Sequence, residues 1–217
     1  MAARALARAG LVHAYGHCSM RLDGQSFIVT PPKPLGLVGA ADPPVTVPLE
    51  GPLPGDALPE VLAHQCIYRH RADVQGIARF QSPAITTLST LGRTPRARHG
   101  FGAYFAPSPP LHANPRLVRD GPSAEALAAT LGSARAIVMR GNGAIAVGSS
   151  LEEALVMAWY LEDAARVELA VLATGLNGLE LNETEARERA VTSGRIIERM
   201  WDYLTSGDPE AAAAAGG

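Results

Sequence analysis

The stretch ADVQGIARFQSPAITTLSTLG, residues 72–92, has the pattern of a short strand followed by a helix. Residues 74–78 are mostly small or apolar, which predicts a buried strand. A Ser-Pro pair follows, and proline in a first turn is a common way to begin a helix. The pattern therefore delivers Arg79 and Gln81 to the end of a strand, beside a turn.

The composition favours one domain and argues against a nucleic-acid or membrane role. The chain has 217 residues, of which 47% are hydrophobic and 18% charged, with a formal net charge of -2. It lacks the basic face that binds phosphate backbones, and no apolar run approaches the roughly 20 residues that span a bilayer. We expect reduced cysteines at Cys18 and Cys66, a cytoplasmic location, one domain over residues 1–207, and a disordered tail over 208–217.

The rest of the chain mixes strands, hairpins and helices. Further strands are predicted at 26–30, 136–139 and 144–147, and an Arg-Gly-Asn-Gly turn joins the last two into a hairpin. Helices are predicted from Pro59 onward, at 124–131 after a cap at Ser123, from Ser149 to Gly175, and at 183–204. This mixture predicts a three-layer α/β/α sandwich around a largely antiparallel central sheet.

Three segments, in this order and spacing, resemble the class II aldolase/adducin family: GLVHAYGHCSMRLDGQSFIVTP, LPEVLAHQCIYRHRADVQGIARFQSP and AIVMRGNGAIAVGSSLEEALVMAWYLEDAARVELAV. The resemblance extends over nearly the whole chain. The form GHCSMR has His17 where sugar-phosphate aldolases have Asn, and it is more similar to the family's decarboxylases of aromatic and heteroaromatic acids. The resemblance implies the same sandwich fold and a homo-oligomer, most simply a tetramer.

The family's metal ligands are replaced in this sequence. In the family, a divalent metal is held by a His-x-His pair and a third histidine, and an upstream glutamate acts as acid and base. The matching positions here are Arg79, Gln81 and Asn142, while Glu60 matches the glutamate. A guanidinium stays protonated and has no lone pair to give, and amide oxygens are weak partners for a transition metal. We therefore expect no family-type metal and no cofactor.

The phosphate-binding loops of the sugar-phosphate aldolases are replaced as well. Such loops offer backbone N–H groups to phosphate, whereas prolines remove donors and bulky side chains obstruct the approach. This chain has Tyr15 and His17 in the first loop, Thr30-Pro31-Pro32 in the second and Leu58-Pro59 in the third. Thr30 could still hold an anion or could simply end a strand. The sequence argues against a sugar phosphate as substrate.

Several residues are candidates for chemistry at this site. Arg79 could replace the metal by binding a substrate carboxylate or enolate, or it could form a buried ion pair with Glu60 in a dead site. Glu60 and His99 are the candidate proton carriers, and His64 is more typical of a structural hydrogen-bonding residue. Candidate substrate-binding residues are His17, Gln81, Asn142, Thr30 and Tyr104.

Three hypotheses for the function remain open at this point. The first is a metal-independent, lyase-like enzyme for a small carboxylate or carbonyl substrate, by decarboxylation, aldol-type cleavage or a related isomerisation or cyclisation. The second is a non-catalytic binding or scaffold protein, as in the adducin branch. The third is a relocated metal site formed by His17, His64 and His99.

Overall fold

The computed structural model describes residues 1–211. The helices of this part are α1 (Ala2–Arg8), α2 (Leu62–His70), α3 (Pro83–Thr90), α4 (Gly121–Leu131), α5 (Leu151–Ala173), α6 (Glu183–Arg189) and α7 (Ile196–Thr205). Its strands are β1 (His17–Arg21), β2 (Ser26–Val29), β3 (Val45–Pro48), β4 (Gly76–Phe80), β5 (Leu111–His112), β6 (Ala136–Met139) and β7 (Ala144–Gly148). Short 3-10 helices lie at Leu35–Leu37, Pro59–Val61 and Gly102–Phe105.

The strands form one sheet in the order β3-β2-β1-β4-β7-β6-β5. Every neighbouring pair is antiparallel except β5 with β6, so the sheet is mixed by one short edge strand. In the centre, His17 of β1 and Ile145 of β7 are the register partners of Arg79 on either side. The predicted α/β class and largely antiparallel sheet are confirmed.

Helices cover both faces of the sheet, and each face has its own apolar core. On one face, Ala78 and Phe80 belong to the core that includes residues of α1, α3 and α5. On the other face, Ile77 and Ile145 pack with residues of α2 and α4. Because side chains alternate along a strand, Arg79 points to the same face as Ile77, toward the α2 layer.

Local boundaries differ from the sequence prediction in three places. The strand expected at 74–78 begins at Gly76 instead, where any Cβ would overlap backbone atoms at the start of α5. The cap of α4 is Asp120, whose side chain accepts from the Ser123 amide. The single helix expected at 183–204 is two helices, because α6 ends at Arg189 and the residues just before α7, Gly194 and Arg195, have positive φ of 73° and 57°.

The first residues of the predicted tail contact α1. Asp208 is 1% exposed, and its carboxylate accepts hydrogen bonds from Arg4 and Arg8 of α1. Glu210 pairs with the amino group of Met1. Residues 208–211 of the predicted tail thus lie against α1, and the rest of it, 212–217, lies outside the described residues. None of the helices within residues 1–211 is long and apolar enough to cross a membrane.

Candidate functional site

The end of β4 meets the turn between β6 and β7. Gly143 in this turn has φ of 75°, and a Cβ there would overlap the carbonyl oxygen of Phe80, so only glycine permits the close approach. The contact brings Asn142 to Arg79 and Gln81: Asn142 Oδ1 accepts from Arg79 Nη2 at 2.8 Å and from Gln81 Nε2 at 2.7 Å. Because a guanidinium only donates, this network fixes the orientation of both amides.

The buried carboxylate of Glu162 holds the residues that directly follow β4. Glu162 of α5 is 2% exposed, and its Oε2 accepts from the Ser82 hydroxyl and, at 3.0 Å, from the Ile85 amide. Its Oε1 accepts from the Ala84 amide at 3.0 Å. These donors belong to the start of α3, which closely follows Gln81. Glu162 thus fixes the start of α3 and, through it, the position of Gln81; the residue pattern of the sequence did not reveal this role.

Arg79 is a buried cation with few protein partners. It is 6% exposed, yet Asn142 Oδ1 is the only acceptor that residues 1–211 offer to the guanidinium. No carboxylate oxygen of these residues lies within 4.0 Å of it. Burial lowers the pKa of Arg79 to about 10 and the charge of nearby Glu60 opposes this shift, so the guanidinium stays protonated near neutral pH. Most of its N–H donors are therefore free for a ligand.

Glu60 forms its ion pair with Arg119 and not with Arg79. It lies in the 3-10 helix before α2, and its Oε1 accepts from Arg119 Nε at 2.8 Å and Nη2 at 2.7 Å. The Arg119 side chain is 56% exposed and that of Glu60 20%, which places the pair at the rim of the site. The buried Arg79–Glu60 ion pair allowed by the sequence is not formed. Arg119 was not predicted, because nothing in its local sequence marks it.

A chain of buried polar side chains runs from β1 into α2. His17 Nδ1 lies 2.8 Å from His64 Nε2, His64 Nδ1 lies 2.6 Å from Ser19 Oγ, and Ser19 Oγ lies 2.9 Å from the Tyr68 hydroxyl. Burial lowers the pKa of His17 well below its ordinary value, and nearby His64 and Arg79 lower it further. Burial, with a contribution from Arg79, lowers the pKa of His64 to about 3. Both imidazoles are therefore neutral near pH 7.

The other predicted site residues lie elsewhere or are occupied. Thr30 follows β2, and its hydroxyl accepts from the Cys18 amide at 3.3 Å, so the strand-end interpretation accounts for it. His99 lies on the α5 side of the sheet, where its Nε2 is 2.9 Å from Asp163. Tyr104 donates to the carbonyl of Val191 and packs on Tyr160. His99 and Tyr104 contact none of the polar side chains around Arg79, which corrects their placement in one site with it.

The residues at this site do not fit the metal that the family ligands would hold. Arg79 cannot coordinate a cation, and Asn142 Oδ1 already accepts two hydrogen bonds. Residues 1–211 contain no group of three or more His, Cys, Asp or Glu side chains arranged for a metal. His17 and His64 are neighbours, but His99 belongs to the opposite layer and both ring nitrogens of His64 are engaged. The relocated metal site is therefore not formed.

Comparisons with known proteins agree with this fold. Residues 1–169 match the family described as Class II Aldolase and Adducin N-terminal domain. A 3,4-dihydroxyphthalate decarboxylase from Rhodococcus jostii (strain RHA1) is 23% identical over 133 residues, which are 58% of this chain and 54% of that protein. The chain thus spans about half the length of this curated relative.

Solved structures are similar over most of the chain. An aldolase II superfamily protein from Pseudomonas syringae has a TM-score of 0.78 at 20% identity, covering 94% of this chain and 87% of that one. An L-fuculose 1-phosphate aldolase from Glaciozyma antarctica PI12 has a TM-score of 0.77 at 21% identity, covering 94% and 86%. An L-fuculose-1-phosphate aldolase from Thermus thermophilus has 0.72 at 26%, covering 82% and 94%. The chain belongs to the class II aldolase and adducin family.

Proposed function

We propose that this protein is a carbon–carbon lyase that acts without a metal on a small, non-phosphorylated carboxylate or carbonyl compound. Relatives named as aldolases and as a decarboxylase support the reaction class. The observation that carries the metal-free part is the buried, protonated guanidinium of Arg79, whose remaining N–H donors have no acceptor in residues 1–211. A positive charge left without a partner in a low-dielectric site attracts a substrate anion.

Arg79 supplies the electrostatic role that such a reaction requires. When a carbon–carbon bond breaks, its electron pair stays on the substrate carbon and is delocalised onto a neighbouring oxygen as an enolate. Fixed N–H donors stabilise that developing charge, in the manner of an oxyanion hole. In a decarboxylation, the bond to the carboxyl carbon breaks, CO2 departs, and a proton is added to the remaining carbon. The same stabilised enolate would serve an aldol-type cleavage.

Glu60 is the group that moves the proton in this proposal. The Glu60 carboxylate is close enough to Arg79 for its charge to raise the pKa of the guanidinium. The Glu60 side chain is also partly exposed to water at the rim of the site. It can therefore accept a proton from an acid in the solvent and pass it to the substrate carbon, where the proton replaces the departing group. His99 was the other predicted carrier, but its contact with Asp163 on the α5 side leaves it no such role within one chain.

The charges and donors of the site favour a carboxylate over a phosphate ester. Arg79 and Arg119 contribute two positive charges and Glu60 one negative charge, so the site has a net positive charge that attracts a carboxylate. The hydroxyl of Thr30 is already used by backbone, and the loop beside it contains two consecutive prolines. The substrate named for the Rhodococcus relative is an aromatic dicarboxylate, which makes aromatic acids the first class to test.

We also propose that the protein is a homo-oligomer, with a tetramer as the expected state. The long helix α5 is not a suitable contact surface, because it is largely buried against the sheet of its own chain. Leu176, Leu179 and Tyr203 are more suitable, since they are 74%, 91% and 68% exposed. Multi-angle light scattering at micromolar concentration should give a multiple of the chain mass of 22.7 kDa, and a monomeric mass would contradict the proposal.

A non-catalytic role has less support from the site. An Arg79–Glu60 pair that closes the pocket, or an apolar pocket around Phe80, would favour such a role. Glu60 pairs with Arg119, and Phe80 is 0% exposed in the core on the opposite face of the sheet. The ionisable groups are therefore available to a ligand.

Turnover by metal-free protein tests the proposal. Chelator-treated protein is incubated with a panel of aromatic and aliphatic carboxylates that begins with 3,4-dihydroxyphthalate, and CO2 and organic products are measured by mass spectrometry. We expect CO2 release from at least one aromatic acid, the same activity with and without the chelator, and loss of activity in Arg79→Ala. Arg93→Ala is the matched control, because Arg93 is exposed at the end of α3. Activity that requires about one bound metal per chain would contradict the proposal, and benzoate binding without turnover of any panel member would favour a binding protein.

A further inference from the structure

The hydrogen bonds that join Tyr68, Ser19, His64 and His17 can run in two opposite directions along this series. In the first, the Tyr68 hydroxyl donates to Ser19 Oγ, Ser19 donates to His64 Nδ1, and His64 Nε2–H donates to His17 Nδ1. In the second, every donor and acceptor is reversed. Both arrangements make the same three hydrogen bonds, so they differ only at the two ends of the chain.

The environment of the Tyr68 hydroxyl decides between the two arrangements. Tyr68 is 1% exposed, and Ser19 Oγ is the only partner that residues 1–211 give its hydroxyl. In the second arrangement the Tyr68 hydroxyl would accept from Ser19, and its own hydrogen would be buried without an acceptor. Burying an unsatisfied donor is unfavourable, because the group loses its hydrogen bond to water and gains none in the protein. The first arrangement has no such cost, so it is the stable one, and it leaves His17 with a proton on Nε2.

His17, with its free Nε2–H, and Arg79, with its free N–H donors, are neighbours in the sheet. The two residues are direct register partners on β1 and β4, and their side chains point to the same face. Within residues 1–211 the one buried side-chain nitrogen or oxygen without a partner is His99 Nδ1. The unpaired Nε2 of His17 and the unpaired N–H groups of Arg79 are therefore not sealed in protein but open to the site.

We propose that His17 is a fixed, neutral hydrogen-bond donor that acts together with Arg79 on one oxyanion of the substrate. The inference rests on the proposed function for the identity of the ligand as a carboxylate or enolate. It adds that binding depends on two donors, one charged and one neutral, and that Tyr68, Ser19 and His64 are positioning residues that set the tautomer of His17. A neutral donor stabilises an oxyanion without placing a second positive charge beside Arg79.

The tautomer can be measured directly. In protein with 15N-labelled histidine, nitrogen-15 NMR at pH 7.5 distinguishes Nδ1–H from Nε2–H imidazole. We expect the Nε2–H form at both His17 and His64, assigned by comparison with His17→Gln and His64→Gln. An Nδ1–H signal at His17 would overturn the inference whether or not any ligand binds.

Binding of benzoate, a plain carboxylate probe, tests the role of the donor. His17→Leu removes the N–H and should weaken benzoate binding about tenfold, whereas His17→Gln keeps an N–H donor and should stay within about threefold of the wild type. Unchanged affinity in a folded His17→Leu protein, with binding lost in Arg79→Ala, would overturn this inference alone. Unchanged affinity in both variants would overturn the proposed function as well. If His17→Leu does not fold, the tautomer measurement decides.

Discussion

Two arginines with little exposed surface differ sharply in how their donors are used. The Arg98 side chain is 11% exposed, and it donates to both carboxylate oxygens of Glu168 and to the carbonyls of Gly178 and Leu179. Arg79 is 6% exposed and donates only to the amide oxygen of Asn142 within residues 1–211. Arg98 links α5 to the segment before α6, so its charge stabilises the fold. The charge of Arg79 has no such partner, which makes it suited to binding a ligand.

The largest expected effect is a difference in stability between variants of the two arginines. Arg98→Ala should lower the free energy of unfolding by about 3 kcal/mol, because it leaves Glu168, which is 3% exposed, as a buried charge without a counter-ion. Arg79→Ala should change it by less than about 1 kcal/mol, because no buried carboxylate loses a partner. Equilibrium unfolding in urea measures both. Equal losses in the two variants would show that Arg79 is a structural residue like Arg98.

The buried histidines beside Arg79 predict how the stability of the protein depends on pH. His17 and His64 have folded-state pKa values below the ordinary value of 6.5, because both are buried and no acid pairs with either of them in residues 1–211. As pH falls through 6.5, the unfolded chain binds protons that the folded chain does not, so stability is full above that value and is lost below it. Because of these two histidines, the free energy of unfolding should fall by about 2 kcal/mol as the pH falls from 6.5 to 5.5.

Urea unfolding across this range checks the prediction, with the double variant His17→Gln, His64→Gln as control. The variant should show a much flatter profile. A wild-type stability that does not change between pH 7.5 and 5.0 would contradict the assignment of both rings as buried and neutral. The carboxylate of Asp208 does not interfere, because its pKa is lowered chiefly by the hydrogen bond from Arg4 and its contribution is lost only at lower pH.

The smallest expected effect concerns the arginine at the rim. Arg119→Ala should change the free energy of unfolding by about 0.5 kcal/mol, because its pair with Glu60 is solvated and the arginine is 56% exposed. Turnover should change more than stability, since Glu60 would lose the partner that orients its carboxylate. A loss of several kcal/mol on urea unfolding would show that Arg119 anchors the loop before α4 and is not a rim residue.

The sheet and its main helix could be predicted because their signals are local. The hairpin of β6 and β7 has a glycine turn between two apolar runs, and α5 has a serine cap at Ser150 and ends before Gly175. The break between α6 and α7 was missed. It includes a positive φ at Gly194 as well as at Arg195, and an isolated glycine inside a helical pattern does not by itself mark the end of a helix. The start of β4 depends on a tertiary contact of Gly76 with α5.

Some residues of the site could likewise be predicted from the sequence, and others could not. Arg79, Gln81 and Asn142 meet as the family resemblance implied, because all three lie at the ends of central strands. His99 and Tyr104 lie apart from Arg79 within one chain, and a loop sequence does not indicate which face of a sheet the loop will join. Arg119 and the hydrogen-bonding role of Ser19 were missed, because both depend on contacts with residues more than forty positions away along the chain.

The most direct test of the account is an isothermal titration of chelator-treated protein with benzoate. The free donors of Arg79 should bind the carboxylate without any metal, so the affinity should be the same before and after chelation. Arg79→Ala should weaken binding about 100-fold and Arg79→Lys about tenfold, because lysine keeps the charge but loses the planar fork. Arg93→Ala should bind like the wild type. Binding that disappears with the chelator, or that survives unchanged in Arg79→Ala, would contradict the claim that this arginine takes the place of the family's metal.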